Sequence, residues 1–235
     1  MNFFIRIFIC ILSLYSSLVQ GVLPSSPANS SHKLKQDLAL LYQDHRSTFF
    51  CEQPFTAKNN IIFQSCKECP LINTQVDWMP LVPYSALAGH LLCYREKLCV
   101  NQQGQRFKGL RCCQKIDETY RLMSRDLHNF VPELKILKQY RRQYSFGLIA
   151  DHPSSQQGCH FYIDKKSKII EIAPHLRGKV ARTYLYMKDT YHMPLNQEQF
   201  ALYYDWHQQY PADAWEKERN EKIKAIQGNG NPYIQ

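Results

Sequence analysis

The chain has 235 residues, 44% of them hydrophobic, and a formal net charge of +9. That supply of apolar side chains suits one sizeable core and excludes a low-complexity protein, and past the first roughly 20 residues no stretch is apolar enough to span a bilayer. The surplus of Lys and Arg favours a polyanionic partner, because cations seated on phosphate release counterions, but it does not separate nucleic acid from an anionic membrane or a polysaccharide.

Residues 1–21 read as an export signal. A start carrying Arg6 and no acid leads into an apolar stretch, and Val19 and Gly21 put small residues where a signal peptidase cuts. Ser13, Ser16, Ser17 and Gln20 interrupt the stretch, which favours a removed signal over a retained anchor. Residues 22–30, rich in Pro and Ser, make a disordered lead-in, and residues 31–235 make one domain. A helix is expected from Ser31, with Leu34, Leu38, Leu41 and Tyr42 on one face. Short strands are expected at 61–63 and 76–78, a helix at 84–93, a polar loop at 95–113 and a helix at 117–128. Strands return at 146–149, 160–163 and 169–172, the last two joined through a turn at 164–167. Beyond Pro174 the pattern is helical. Val180, Tyr184, Met187 and Tyr191 share a stripe, Asn196 and Asp213 stand at cap positions, Glu216 is placed for a capping box, and Gly228 ends the last helix. The sum is α+β, a small antiparallel sheet in mostly helical surroundings.

Of nine cysteines, Cys10 lies in the signal; Cys51, Cys66, Cys69, Cys93, Cys99, Cys112, Cys113 and Cys159 remain. An even number in an exported chain points to a disulfide framework, although eight cysteines allow 105 pairings and spacing does not choose among them. The competing reading is a zinc site made by Cys66-x-x-Cys69 with Cys112 and Cys113, which the adjacency of the last two disfavours.

Residues 76–83 run Val-Asp-Trp-Met-Pro-Leu-Val-Pro, and residues 126–132 run Asp-Leu-His-Asn-Phe-Val-Pro. They resemble the Val-Glu-Trp-Glu-His-Val-Val-Pro and Asp-Leu-His-Asn-Leu-x-Pro motifs of the bacterial endonuclease I family of periplasmic and secreted DNases. Arg177-Gly178, the run Ala181-Arg182-Thr183-Tyr184, Tyr186-Met187, Tyr210-Pro211, Trp215-Glu216, Arg219, Gln227-Gly228-Asn229 and Asn231-Pro232 also follow the family pattern, so the resemblance covers residues 34–235. It implies a ββα-metal (His-Me finger) core that brings a divalent cation, normally Mg²⁺, and a histidine to one phosphate. In that chemistry an oxygen-bound cation offsets the charge on the phosphorane, an imidazole takes the proton of the attacking water, and nearby cations stabilise the leaving oxygen.

The family's Glu-His pair stands here as Met79-Pro80. A thioether is a poor ligand for a hard cation and a proline has nothing to titrate, so the general base and a principal ligand are missing. Asn129 remains where the second ligand belongs, with Asp77 as a weaker substitute ligand. His128 and His90 match family histidines that are not the base and read as structural. After the second motif the family's polar run becomes Ile136, Lys138 and Tyr140, and the loop holding its catalytic-site arginine is shorter, leaving Arg95 or Lys97 as stand-ins. Lys135, Lys138, Arg141 and Arg142 have the spacing of a basic helical ridge; with Arg177, Lys179 and Arg182 they are candidate phosphate contacts. Three functions follow: a non-cutting DNA-binding pseudonuclease, periplasmic or secreted; an active Mg²⁺-dependent nuclease on DNA or RNA with a rebuilt metal site; or an envelope partner-binding protein that touches no DNA. None calls for membrane insertion once the signal is gone.

Overall fold

The computed structural model describes residues 31–62, 75–141, 144–150 and 159–235. The expected signal, the lead-in, Cys66, Cys69 and Arg142 lie outside the described residues. Helix α1 (Ser31–Leu41) buries Leu38 and Leu41, and the chain then turns through residues 42–62, held by isolated bridges such as Phe55 to Ile61. Of the strand expected at 61–63, Phe63 lies outside the described residues; Ile61 makes only that isolated bridge and Ile62 belongs to no strand.

Strand β1 (Val76–Pro80) ends at two short helices, α2 (Tyr84–Ala88) and α3 (Leu92–Arg95), where the sequence predicts one. Residues 89–91 interrupt them. The expected loop at 95–113 contains a hairpin of β2 (Cys99–Val100) and β3 (Arg106–Phe107), followed by α4 (Leu110–Ile116). Asp117 then caps α5 (Glu118–Met123), its carboxylate accepting from the Tyr120 amide at 2.7 Å.

A 3-10 turn (Leu127–Asn129) feeds β4 (Phe130–Leu134), which pairs antiparallel with β1 in the register Asp77 to Glu133, Met79 to Val131 and Pro80 to Phe130. A second 3-10 turn (Lys135–Leu137) and α6 (Lys138–Arg141) follow directly. This ribbon-then-helix unit fits the ββα-metal core. Proline is tolerated at β1's last position because the ladder needs no further amide from it.

The third sheet differs in one respect from an antiparallel expectation. β6 (Phe161–Asp164) and β7 (Ile169–Ile172) make the foreseen hairpin, but β5 (Ser145–Phe146) runs parallel to β7. Helix α7 (Pro174–Tyr191) is the spine of the core. Val180, Tyr184, Met187 and Tyr191 are buried as their spacing requires, and so are Leu176, Ala181, Leu185 and Tyr186. α8 (Gln197–Gln209) opens on a complete capping box of Asn196 with Gln199. α9 (Ala214–Gln227) opens on Asp213 alone, because the Glu216 carboxylate is turned to Arg182. Gly228, at φ 93°, ends α9 in the left-handed conformation that glycine accepts without strain.

Among the described residues three disulfides join Cys51 to Cys159, Cys93 to Cys113 and Cys99 to Cys112. The zinc reading fails on these bonds, since Cys112 and Cys113 have no thiolate to give. The fold is α+β, with small sheets set among helices and stapled by disulfides.

Candidate active site

Pairing in the β1–β4 ribbon brings the end of β1 against the 3-10 turn. The Leu81 amide donates to the Asn129 carbonyl at 2.8 Å. The Asn129 side chain then clasps the next residue as another backbone would. Its Oδ1 accepts from the Val82 amide at 2.7 Å and its Nδ2 donates to the Val82 carbonyl at 3.0 Å. Asn129 is 0% exposed. The residue expected as a surviving metal ligand is therefore a buried buckle between two chain segments.

Met79 is buried on the face of β1 that joins the main core. With Pro80, Pro83, Tyr84, Leu110 and Lys138 it lines a cleft of ≈ 350 Å³ where the family's acid and base would project. Asp77, on the same face two residues earlier, accepts from Lys138 Nζ at 2.6 Å and from the Trp78 amide at 2.9 Å. The donors at this place are a thioether, a ring without a donor, an amide already bonded at both ends and a carboxylate neutralised by a lysine. This set does not fit a magnesium ion, which demands several unshielded oxygens in octahedral geometry. Among the described residues no three His, Cys, Asp or Glu stand close enough to hold a metal.

The second motif serves as scaffold. Asp126 is buried, and its Oδ2 accepts from the hydroxyls of Tyr186 at 2.6 Å and Tyr191 at 2.7 Å, while its Oδ1 accepts from the His128 amide at 2.9 Å and Gln227 Nε2 at 3.1 Å. Burial and the Asp126 carboxylate push both tyrosine hydroxyls far above their ordinary range. His128 packs on the Tyr186 ring, with its Nε2 at 3.4 Å from the Asn229 carbonyl. Burial pulls its imidazole down to about 4, so it is neutral over most of the pH range. Arg219 Nη2 donates to the carbonyls of Leu127 and Phe130, at 2.9 and 2.8 Å. The C-terminal signature residues thus hold the turn that presents Asn129.

The expected phosphate contacts separate by burial. Arg182, 1% exposed, bonds both oxygens of Glu216 at 2.6 Å and the Tyr210 carbonyl at 2.7 Å. Gly178 permits this approach, because a β-carbon there would collide with the Tyr210 carbonyl. Arg141, also 1% exposed, donates to the Leu81 carbonyl at 2.7 Å, to the Tyr144 carbonyl and to the Tyr184 hydroxyl. Both guanidiniums are structural and face away from solvent. A single ridge running from Lys135 to Arg141 does not form: the 3-10 turn breaks the helical spacing, leaving Lys135 exposed and Arg141 inside. Arg177 is paired with Glu171 at 2.8 Å, and Lys179 with Asp213 at 2.6 Å.

Two features escaped the sequence reading. Glu133 is fully buried, its carboxylate facing the amides of Phe50, Cys51 and Leu134; burial outweighs those donors and pushes it up to about 7. The second is the continuation of the exposed cations from Arg95 and Lys97, already named as stand-ins, through Arg106, Lys108, Arg111 and Lys115; the segment read as a loop although its charge was countable.

The family model for Endonuclease I matches residues 95–235. A periplasmic deoxyribonuclease of Aeromonas hydrophila is 32% identical over 226 residues, covering 93% of this chain and 90% of that protein. An extracellular deoxyribonuclease of the same organism is 34% identical over 217 residues, covering 88% and 90%. An endonuclease-1 of Buchnera aphidicola is 30% identical over 161 residues, covering 68% and 60%. Among the described residues no helix is long and apolar enough to cross a membrane. With three disulfides and relatives of this kind, the protein is periplasmic or secreted. In motif, fold and sequence identity the chain belongs to the endonuclease I family.

Proposed function

We propose that this protein is an exported pseudonuclease, a member of the endonuclease I family that holds DNA without cutting it. The observation that carries the reading is the Met79-Pro80 pair at the end of β1, set beside an Asn129 amide whose oxygen and nitrogen both serve Val82. Phosphodiester hydrolysis needs a proton acceptor for the attacking water and a cation at the phosphoryl oxygens. Among the described residues no imidazole lines this cleft, and Asp77 is neutralised by Lys138. His128 does not substitute, being a buried residue of the 3-10 turn itself whose ring faces the Asn229 carbonyl of the C-terminal segment. The relatives' names identify DNA as their substrate, and the net charge of +9 supports a nucleic-acid partner here.

The test is incubation of purified, oxidised mature protein with supercoiled plasmid in magnesium and then in chelator. The expected outcome is retarded but intact plasmid under both conditions. Magnesium-dependent nicking that survives repurification and vanishes in Asn129→Ala would overturn the reading.

A further inference from the structure

We infer that the nucleic-acid surface is the disulfide-stapled knob formed by β2, β3 and α4, and that its ligand is the phosphate backbone of duplex DNA. This assignment rests on the proposed function and locates it on a segment outside the two motifs at 76–83 and 126–132. Between residues 92 and 116 there are six cations, Arg95, Lys97, Arg106, Lys108, Arg111 and Lys115, all exposed, against the one acid Glu96. Among the described residues none of these six joins an ion pair, whereas Lys138, Arg177, Lys179 and Arg182 all do. Their charge is uncompensated, which is the condition for counterion release on binding phosphate.

The cations are also held in place. Disulfides from Cys93 to Cys113 and from Cys99 to Cys112 pin α4 to the strand and helix before it. Lys108 Nζ donates to the Arg95 carbonyl at 2.8 Å and Lys115 Nζ to the Val100 carbonyl at 3.2 Å, each ammonium keeping further donors for a ligand. The Arg111 guanidinium lies 5.7 Å from the centre of the Phe107 ring. Asn101, Gln102 and Gln103 join Lys108, Arg111 and Lys115 around an open groove of ≈ 690 Å³. Amide side chains between fixed cations suit a sugar-phosphate strand, which offers charged and neutral oxygens in alternation. Leu110, at the start of α4, lines the cleft of Met79 and Pro80, so the knob adjoins that cleft.

The experiment is fluorescence anisotropy of a labelled short duplex across a salt series, using the full oxidised chain. Lys108→Glu with Arg111→Glu is compared with Lys165→Glu plus Lys166→Glu, a control of equal charge change on the β6–β7 turn. Lys108→Gln with Arg111→Gln, checked by circular dichroism and free-thiol titration, removes the charges without adding repulsion. The knob variants are expected to lower the slope of log affinity against log salt by about two, and the Glu pair to cut affinity by at least about tenfold. The control should retain the wild-type slope. If the wild type binds and the control loses as much as the knob variants, or neither loses any, the knob is refuted while the proposed function stands. A wild type that ignores the duplex refutes both. Knob-dependent binding to phosphatidylglycerol vesicles in preference to the duplex overturns the nucleic-acid assignment.

Discussion

Met79 and Asn129 lie at neighbouring points of one ribbon and its turn, and on the proposed reading the place keeps its geometry without its chemistry. Asn129 still meets the end of β1, and that meeting is made by hydrogen bonds to Val82 that need no metal. Met79→Glu with Pro80→His therefore rebuilds the missing pair on a scaffold already in place. Magnesium-dependent plasmid nicking above the wild-type level is expected; no gain over the wild type places a further defect in the altered segment at 135–143. The Arg182–Glu216 pair makes a second case. Cutting one side with Glu216→Ala strands a guanidinium in the core, at a cost of about 3–5 kcal/mol in a urea melt. A loss below about 1 kcal/mol would show that the pair is solvated. At this scale the Met79-Pro80 pair was legible as residue types that offer neither a hard-cation ligand nor a base. The burial of Arg141 and Arg182 was not, because a guanidinium matched to internal acceptors looks in sequence like one that faces phosphate.

Elements with local signals were read well. α1 and the β6–β7 hairpin lie within a residue of where they were expected to begin, α7 begins at Pro174, α8 and α9 begin at the two expected caps, and α9 ends at Gly228 as its turn residues required. The exceptions have physical causes. Residues 84–93 form two helices with Leu91 extended between them, and the β2–β3 hairpin is too short to show alternation. Its stability comes from disulfides, whose pairing spacing does not disclose. Asp213 is a cap of the ordinary kind, so Asp213→Ala should destabilise by about 1 kcal/mol in thermal melts. Asn196→Ala, which breaks a two-sided box, should cost at least as much.

Across the whole molecule two buried groups pull stability in opposite directions with pH. Glu133, at about 7 in the fold against an ordinary 4.5, is protonated when native and ionised when unfolded, so its contribution is lost as pH rises from 4.5 through 7. His128, at about 4 against 6.5, stays neutral when native, and its contribution is lost as pH falls from 6.5 towards 4. The two slopes oppose each other over the shared range. Glu133→Gln removes one of them. Denaturant melts should show wild-type stability declining relative to this variant by about 3 kcal/mol between pH 4.5 and 7, while a pH-independent difference would mean that the carboxyl is ionised throughout.

The neighbouring cysteines of α4 carry a burden for biogenesis. Cys112 and Cys113 bond to Cys99 and Cys93 across separations of 13 and 20 residues. Exchanging the two partners alters each loop by one residue, a change that chain entropy scarcely registers. Only packing of the finished hairpin on α4 distinguishes correct from swapped bonds, so the thiols are prone to oxidise before the discriminating contacts exist. The protein should depend on a disulfide isomerase during export, and in a host lacking one the secreted material should carry a scrambled fraction, separable by peptide mapping.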